Sequence, residues 1–132
     1  MAFDHQKLVV YQRALDVLEL CDDINSHLPQ GRAHLRDQID RAANSIIGNT
    51  AEGAGEFSPN EKARFYRMAP RSGIELAAWL EVVGRRTEAP QDLLSKALSA
   101  LEEVVSMLVA LIKRADRSAS GQGQGQGQGQ GG

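Results

Sequence analysis

Apolar residues recur along this chain at steps of three and four, which is the spacing of one face of a helix. The first run is Leu8, Tyr11, Ala14, Leu15, Leu18, Cys21, Ile24 and Leu28, and predicts a helix from about Asp4 to His27, ended by Pro29 and Gly31. The second is Leu35, Ile39, Ala42, Ala43, Ile46 and Ile47, in a helix starting near Arg32. At about 100° per residue, Gln38, Arg41, Ser45 and Glu52 fall together on another flank of that helix, with Asn49 at the edge of the apolar stripe. Gly53 and Gly55 are expected to stop it in the left-handed C-terminal cap conformation.

A third helix has the clearest start signal. Ser58-Pro59-Asn60-Glu61 reads as a capping box with proline in the first helical position. Its stripe is Phe65, Ala69, Ser72, Leu76, Leu80 and Val83, and continues past Pro70, so that proline should bend the helix without ending it. The fourth helix runs from near Pro90 to about Arg117. Its band of Leu94, Ala97, Leu98, Leu101, Val104, Val105, Leu108, Leu111, Ile112 and Ala115 is broad enough for burial on two sides, within the bundle and against another subunit. No strand-length stretch alternates with period two. Four helices with short connections predict an all-α, up-down-up-down bundle over residues 1–117. Residues 118–132, a Gly/Gln repeat, have too little to bury and should form a disordered tail.

Composition narrows the picture. The 132 residues are 42% hydrophobic and 24% charged, with a net charge of −2 and a pI near 5.9. That balance suits one soluble domain and argues against a generally cationic nucleic-acid binder, while leaving room for a local basic patch. With Cys21 as the single cysteine, no intrachain disulfide can form, which fits a reducing compartment. Met1–Lys7 lacks the order of a secretory leader and no apolar run approaches a bilayer span, so a cytoplasmic location is expected.

The second helix carries a resemblance. Gln38-Ile39-Asp40-Arg41-Ala42-Ala43-Asn44-Ser45-Ile46-Ile47-Gly48-Asn49-Thr50-Ala51-Glu52-Gly53 resembles the signature of the bacterial four-helix bundle proteins encoded in intervening sequences of 23S ribosomal RNA genes. The likeness extends through Phe65-Tyr66 and Glu75 and covers about residues 4–116. It implies a closed homo-oligomer, typically a homopentamer, with no enzymatic activity and no cofactor. Relatives include the accessory variability protein of diversity-generating retroelements, a basic pentamer that binds RNA and a reverse transcriptase. This chain departs from the pattern in two places. The family has alanine-arginine-glycine-serine in the third helix, whereas Ala69-Pro70-Arg71-Ser72-Gly73 displaces the arginine by one position, about 100° round the helix. Thr50 stands where isoleucine is usual.

Candidate chemistry is sparse. Gly53-Ala54-Gly55-Glu56-Phe57-Ser58 has the look of a phosphate loop, but it follows a helix and lacks the Gly-Lys-Ser/Thr ending, so it reads as a helix terminator and cap. No Glu-x-x-His pair occurs, and His5, His27 and His34 share no ligand spacing, so no metal site is expected. Cys21 sits in an apolar stripe and reads as an inert thiol. Glu52 and Glu56, separated by glycines, define no fixed carboxylate pair.

Two charged patterns remain. Arg64, Arg67 and Arg71 share one face of the third helix, with Lys62 nearby, and could grip RNA phosphates; the alternative is a solvated face partly neutralised by Glu61 and Glu75. Asp16, Glu19 and Asp23 repeat the same spacing on the first helix, and the two stripes could face each other within a subunit or across a boundary. The polar flank of Arg41, Ser45, Asn49 and Glu52 is suited either to a ligand or to hydrogen bonding between helices or subunits, and Arg41 could pair with Asp37. Aromatic residues are only 5% of the chain, which counts against single-strand stacking. The expectation is therefore a non-enzymatic, cytoplasmic, oligomeric bundle associated with RNA, whose binding Arg64→Glu with Arg67→Glu would abolish. The competing expectation is an oligomeric protein-interaction adaptor, with a reverse transcriptase as one conceivable partner.

Overall fold

The computed structural model describes residues 2–131, with side chains from Ala2 to Gly121. Four α-helices make the molecule: α1 (Val9–Ser26), α2 (Ala33–Gly55), α3 (Pro59–Arg86) and α4 (Gln91–Gly131), with a short 3-10 turn, Asp4–Lys7, ahead of α1. No strand occurs among the described residues. Each helix packs on the next and α4 returns to α1, closing a ring around one core. Connections this short oblige consecutive helices to run antiparallel, the up-down arrangement of a four-helix bundle.

The first helix starts later than its periodicity suggests. Asp4–Lys7 has nothing to bury, so it winds into a 3-10 turn in which Gln6 Oε1 accepts from the Phe3 N–H at 2.8 Å. The deep seam of α1 is Val10, Ala14, Val17, Cys21 and Ile24, continued by Leu28 just past the end of the helix. Tyr11, Leu15 and Leu18 lie half-buried on its flank. Two adjacent apolar stripes run along this helix, and packing of α2 and α4 selects the one rich in small and β-branched side chains as the centre.

α3 shows the same shift. Its core line is Ala63, Tyr66, Ala69, Gly73, Leu76, Leu80 and Val83, with Phe65 and Ser72 half-buried at the edge. Gly73 sits in this line because α4 leaves no room for more: a Cβ there would lie 2.8 Å from Val105 Cγ2. The helix is unbroken through Pro70. On α4 the broad band divides into a buried seam that includes Leu94, Ala97, Leu101, Val104 and Leu108, and a half-covered flank of Leu98, Val105, Leu111 and Ile112.

Helix ends correct two expectations. Among the described residues, Gly31, in the loop after α1, is the glycine with a left-handed backbone, φ +99. Gly53 and Gly55 are not caps. Both are helical, and α2 does stop at Gly55, with Glu56 following in extended backbone. Gly53 serves close approach: a Cβ there would fall 2.5 Å from Tyr66 Cδ1. At the start of α3, Ser58 Oγ accepts from the Glu61 N–H at 3.1 Å. The Glu61 carboxylate turns to Arg64, so only the serine half of the capping box is made.

α4 continues through Ser118–Gly121, beyond the Arg117 end read from the sequence. The remainder of the expected disordered tail, 122–132, lies outside the residues whose side chains are described.

Candidate functional site

The polar flank of α2 divides in two. Ser45 and Asn49 turn inward, where Ser45 Oγ and Ser72 Oγ share a hydrogen bond of 2.7 Å. Asn49 Nδ2 donates to the Ser45 carbonyl at 3.0 Å and to Ser45 Oγ at 3.2 Å. This chain of three polar residues stitches α2 to α3 and satisfies groups that burial would otherwise penalise. Thr50, fully buried, is accommodated where the family favours isoleucine because its hydroxyl donates to the Ile46 carbonyl at 2.7 Å. Arg41 and Glu52 remain exposed. The expected Asp37–Arg41 ion pair is absent among the described residues.

The basic stripe of α3 is not one surface. Lys62 folds back to cap α2, its Nζ donating to the Ala54 carbonyl at 2.8 Å and the Gly53 carbonyl at 3.4 Å. A cation here meets the negative end of the helix dipole and the carbonyls of its last turn, of which Gly53's also accepts from the Glu56 N–H at 3.4 Å. Arg64 pairs with Glu61 at 3.1 Å and lies over the Phe65 ring, 5.3 Å from its centroid. Arg67 pairs with Asp116 on α4. Arg71 points to solvent and makes no ion pair among the described residues. Both arginine pairs are well exposed, and pairs of that kind are weak enough for a phosphate to compete.

The acidic stripe faces elsewhere. Asp16, Glu19 and Asp23 line a groove with Arg13 and Lys96. Arg13 bridges Asp16 at 3.2 Å and Glu103 at 2.9 Å, tying α1 to α4. The two stripes therefore do not meet within the chain, because α1's acids sit beside α4 and not beside α3.

One grouping escaped the sequence reading. At the end of the bundle where α1 and α3 begin, Tyr66, Arg114 and Ser118 join Lys62 around a cleft of about 390 Å³, with Leu8 and Leu111 among its apolar walls. Tyr66 belongs to the α3 core line and Arg114 to the stretch of α4 that passes the start of α3, so no sequence spacing links them. The available signal was topological: in an up-down bundle, α4 runs back along α3 toward the start of α3.

The remaining candidates for chemistry are structural. Cys21 is fully buried, and desolvation, reinforced by Asp22 and Asp40, pushes its thiol up to about 12. His5 packs against Phe3 and Tyr11, the His27 ring contacts the Asp23 carbonyl at 2.8 Å, and His34 meets Trp79 edge-on. No cluster of three metal-ligating side chains occurs among the described residues. No described helix is long and apolar enough to cross a membrane.

No curated protein matches this chain. A family model does: the 23S rRNA-intervening sequence protein family, over residues 6–110. That span takes in α1, α2, α3, the Ser45–Asn49–Ser72 stitch, the basic stripe and most of the α4 seam. With four helices ringed around one core and a match across most of its length, the chain belongs to the 23S rRNA-intervening sequence protein family.

Proposed function

We propose that this protein is a non-enzymatic, cytoplasmic homo-oligomer that associates with RNA through its outer surface. Membership of the family over residues 6–110 is the observation that carries the reading. The pentamer implied by the resemblance is the assembly proposed. Arg71, unpaired among the described residues, and Arg64, held by an exposed pair and the face of Phe65, supply the phosphate contacts. Lys62 has a structural duty at the end of α2, and Arg67 is shared with Asp116.

The test is a salt titration of binding to structured ribosomal RNA. Micromolar affinity that falls steeply with salt is expected. Arg64→Gln with Arg71→Gln should weaken binding and flatten the slope of log K against log salt by about 1.5. Glutamine is preferable to glutamate, and Arg71 to Arg67, because a glutamate at 67 would face Asp116 and disturb the α3–α4 contact. Unchanged RNA affinity in the assembled double variant would exclude this surface.

A second reading, a protein-interaction adaptor, is favoured by the pI near 5.9 and by Met68 and Ile74, 45% and 68% exposed on α3 beside Arg71. A reverse transcriptase is the kind of partner the resemblance suggests. Absence of RNA binding even at low salt, with capture of a protein partner by the same α3 face, would select it.

A further inference from the structure

The cleft at the end of the bundle is chemically one-sided. Its polar lining is Lys62, Arg114, Tyr66 and Ser118, and no carboxylate belongs to it. Lys62 spends two of its ammonium donors on the Gly53 and Ala54 carbonyls, which leaves one for the cleft. Arg114 makes no ion pair among the described residues. Tyr66 is only 4% exposed, yet it lines the cleft. Burial pushes its hydroxyl's pKa up, with Arg114 acting against the shift and Asp4 with it, so it stays a donor at neutral pH. Asp4, the acid near this site, has Lys7 at 3.8 Å.

Leu8, Leu111 and Arg114 also line a second trough of about 270 Å³, whose other walls include Val9, Val10 and Met107. The polar cleft thus opens beside an apolar one, with Arg114 at the junction. Together they have the size and the mix of surfaces of a small-molecule site.

We propose that Lys62, Arg114, Tyr66 and Ser118 bind the phosphate monoester of a nucleotide-sized ligand whose body lies along the Val9–Met107 trough. A phosphate monoester carries about −1.5 to −2 charge near neutrality, which matches two cations in a lining that holds no carboxylate, whereas a carboxylate would leave one cation uncompensated. The tyrosine and serine hydroxyls supply donors to the remaining oxygens, and the guanidinium can grip two at once. Such a group could be a free nucleotide or the 5′ end of an RNA.

The experiment is titration calorimetry on the full chain with adenosine 5′-monophosphate, inorganic phosphate and adenosine, followed by a short oligoribonucleotide with and without a 5′-phosphate. Tyr66→Phe is the sharpest variant, since it keeps the ring that packs on Gly53 and removes only the hydroxyl. Millimolar or tighter binding of the monophosphate but not of adenosine is expected. Arg114→Gln should weaken it about tenfold and Tyr66→Phe about threefold to tenfold. Binding of the free monophosphate assigns the site to a nucleotide, and binding of the 5′-phosphorylated oligomer alone assigns it to an RNA end. Heats that neither variant changes, or no response to any 5′-phosphate, would overturn the proposal. Equal binding of the two oligomers with no response to the monophosphate would also overturn it, while leaving the broader association with RNA intact.

Discussion

Gly53 and Tyr66 show how much depends on single side chains here. The ring of Tyr66 occupies the space a Cβ on Gly53 would need, 2.5 Å from Cδ1. Gly53→Ala should therefore destabilise the bundle by about 1–3 kcal/mol, the usual cost of overpacking, seen as a lower melting temperature. Gly48 has open space at its Cβ, so Gly48→Ala is the matched control and should be neutral or slightly stabilising. Cys21 makes a prediction in pH. Its thiol rises from 9.0 to about 12 on folding because burial disfavours the thiolate. The folded state thus holds the proton that the unfolded state loses above pH 9, and stability falls as pH climbs from 9 toward 12. Each unit in that window costs about 1.4 kcal/mol on this account. Chemical denaturation across the alkaline range should show a shallower decline for Cys21→Ala than for the unmodified chain.

At the level of elements, helix ends are held by cations reaching back from the next helix. Arg36 on α2 donates to the Leu28 and Pro29 carbonyls after α1, both at 3.3 Å, as Lys62 on α3 does for α2. The Lys62 contact meets carbonyls of the last turn of α2 and opposes its dipole, and the Arg36 contacts pin the turn that follows α1. Lys62→Met should cost about 0.5–1.5 kcal/mol and speed amide exchange in the last turn of α2, with exchange in the middle of α2 unchanged. Uniform acceleration along the helix would mean that Lys62 acts on global stability and not on the cap.

For the whole molecule, the question is what covers the partly exposed apolar surface. Ile74 is 68% exposed on α3 and is not among the residues packed on the core. Ile74→Glu should leave helicity and monomer packing intact while shifting the protein to smaller species in sedimentation equilibrium. Undiminished assembly would place the subunit contact on another face, the half-covered flank of α4 being next to test.

The helices were legible in the sequence because three-and-four periodicity and end signals are local physics. Ser58 caps α3 as its position required, and α1 ends ahead of Pro29 and Gly31. Which of two adjacent stripes faces the core was not legible, since Tyr11 and Val10, or Phe65 and Tyr66, all offer large apolar surface and only the neighbouring helices choose between them. Glycine at 53 read as a stop signal because close approach of a ring from α3 leaves the same mark in one dimension. The candidate site suffered most from this loss of dimension. Three arginines on one face with Lys62 nearby could be either an RNA grip or a solvated face, and tertiary structure committed Lys62 to a helix end and Arg67 to Asp116. It also brought Arg114 to Tyr66 around a cleft. Sequence by itself determined the elements, because backbone hydrogen bonding and amphipathicity are satisfied residue by residue. The use of each charge was decided only in three dimensions, because ion pairs, caps and clefts depend on which helix ends meet.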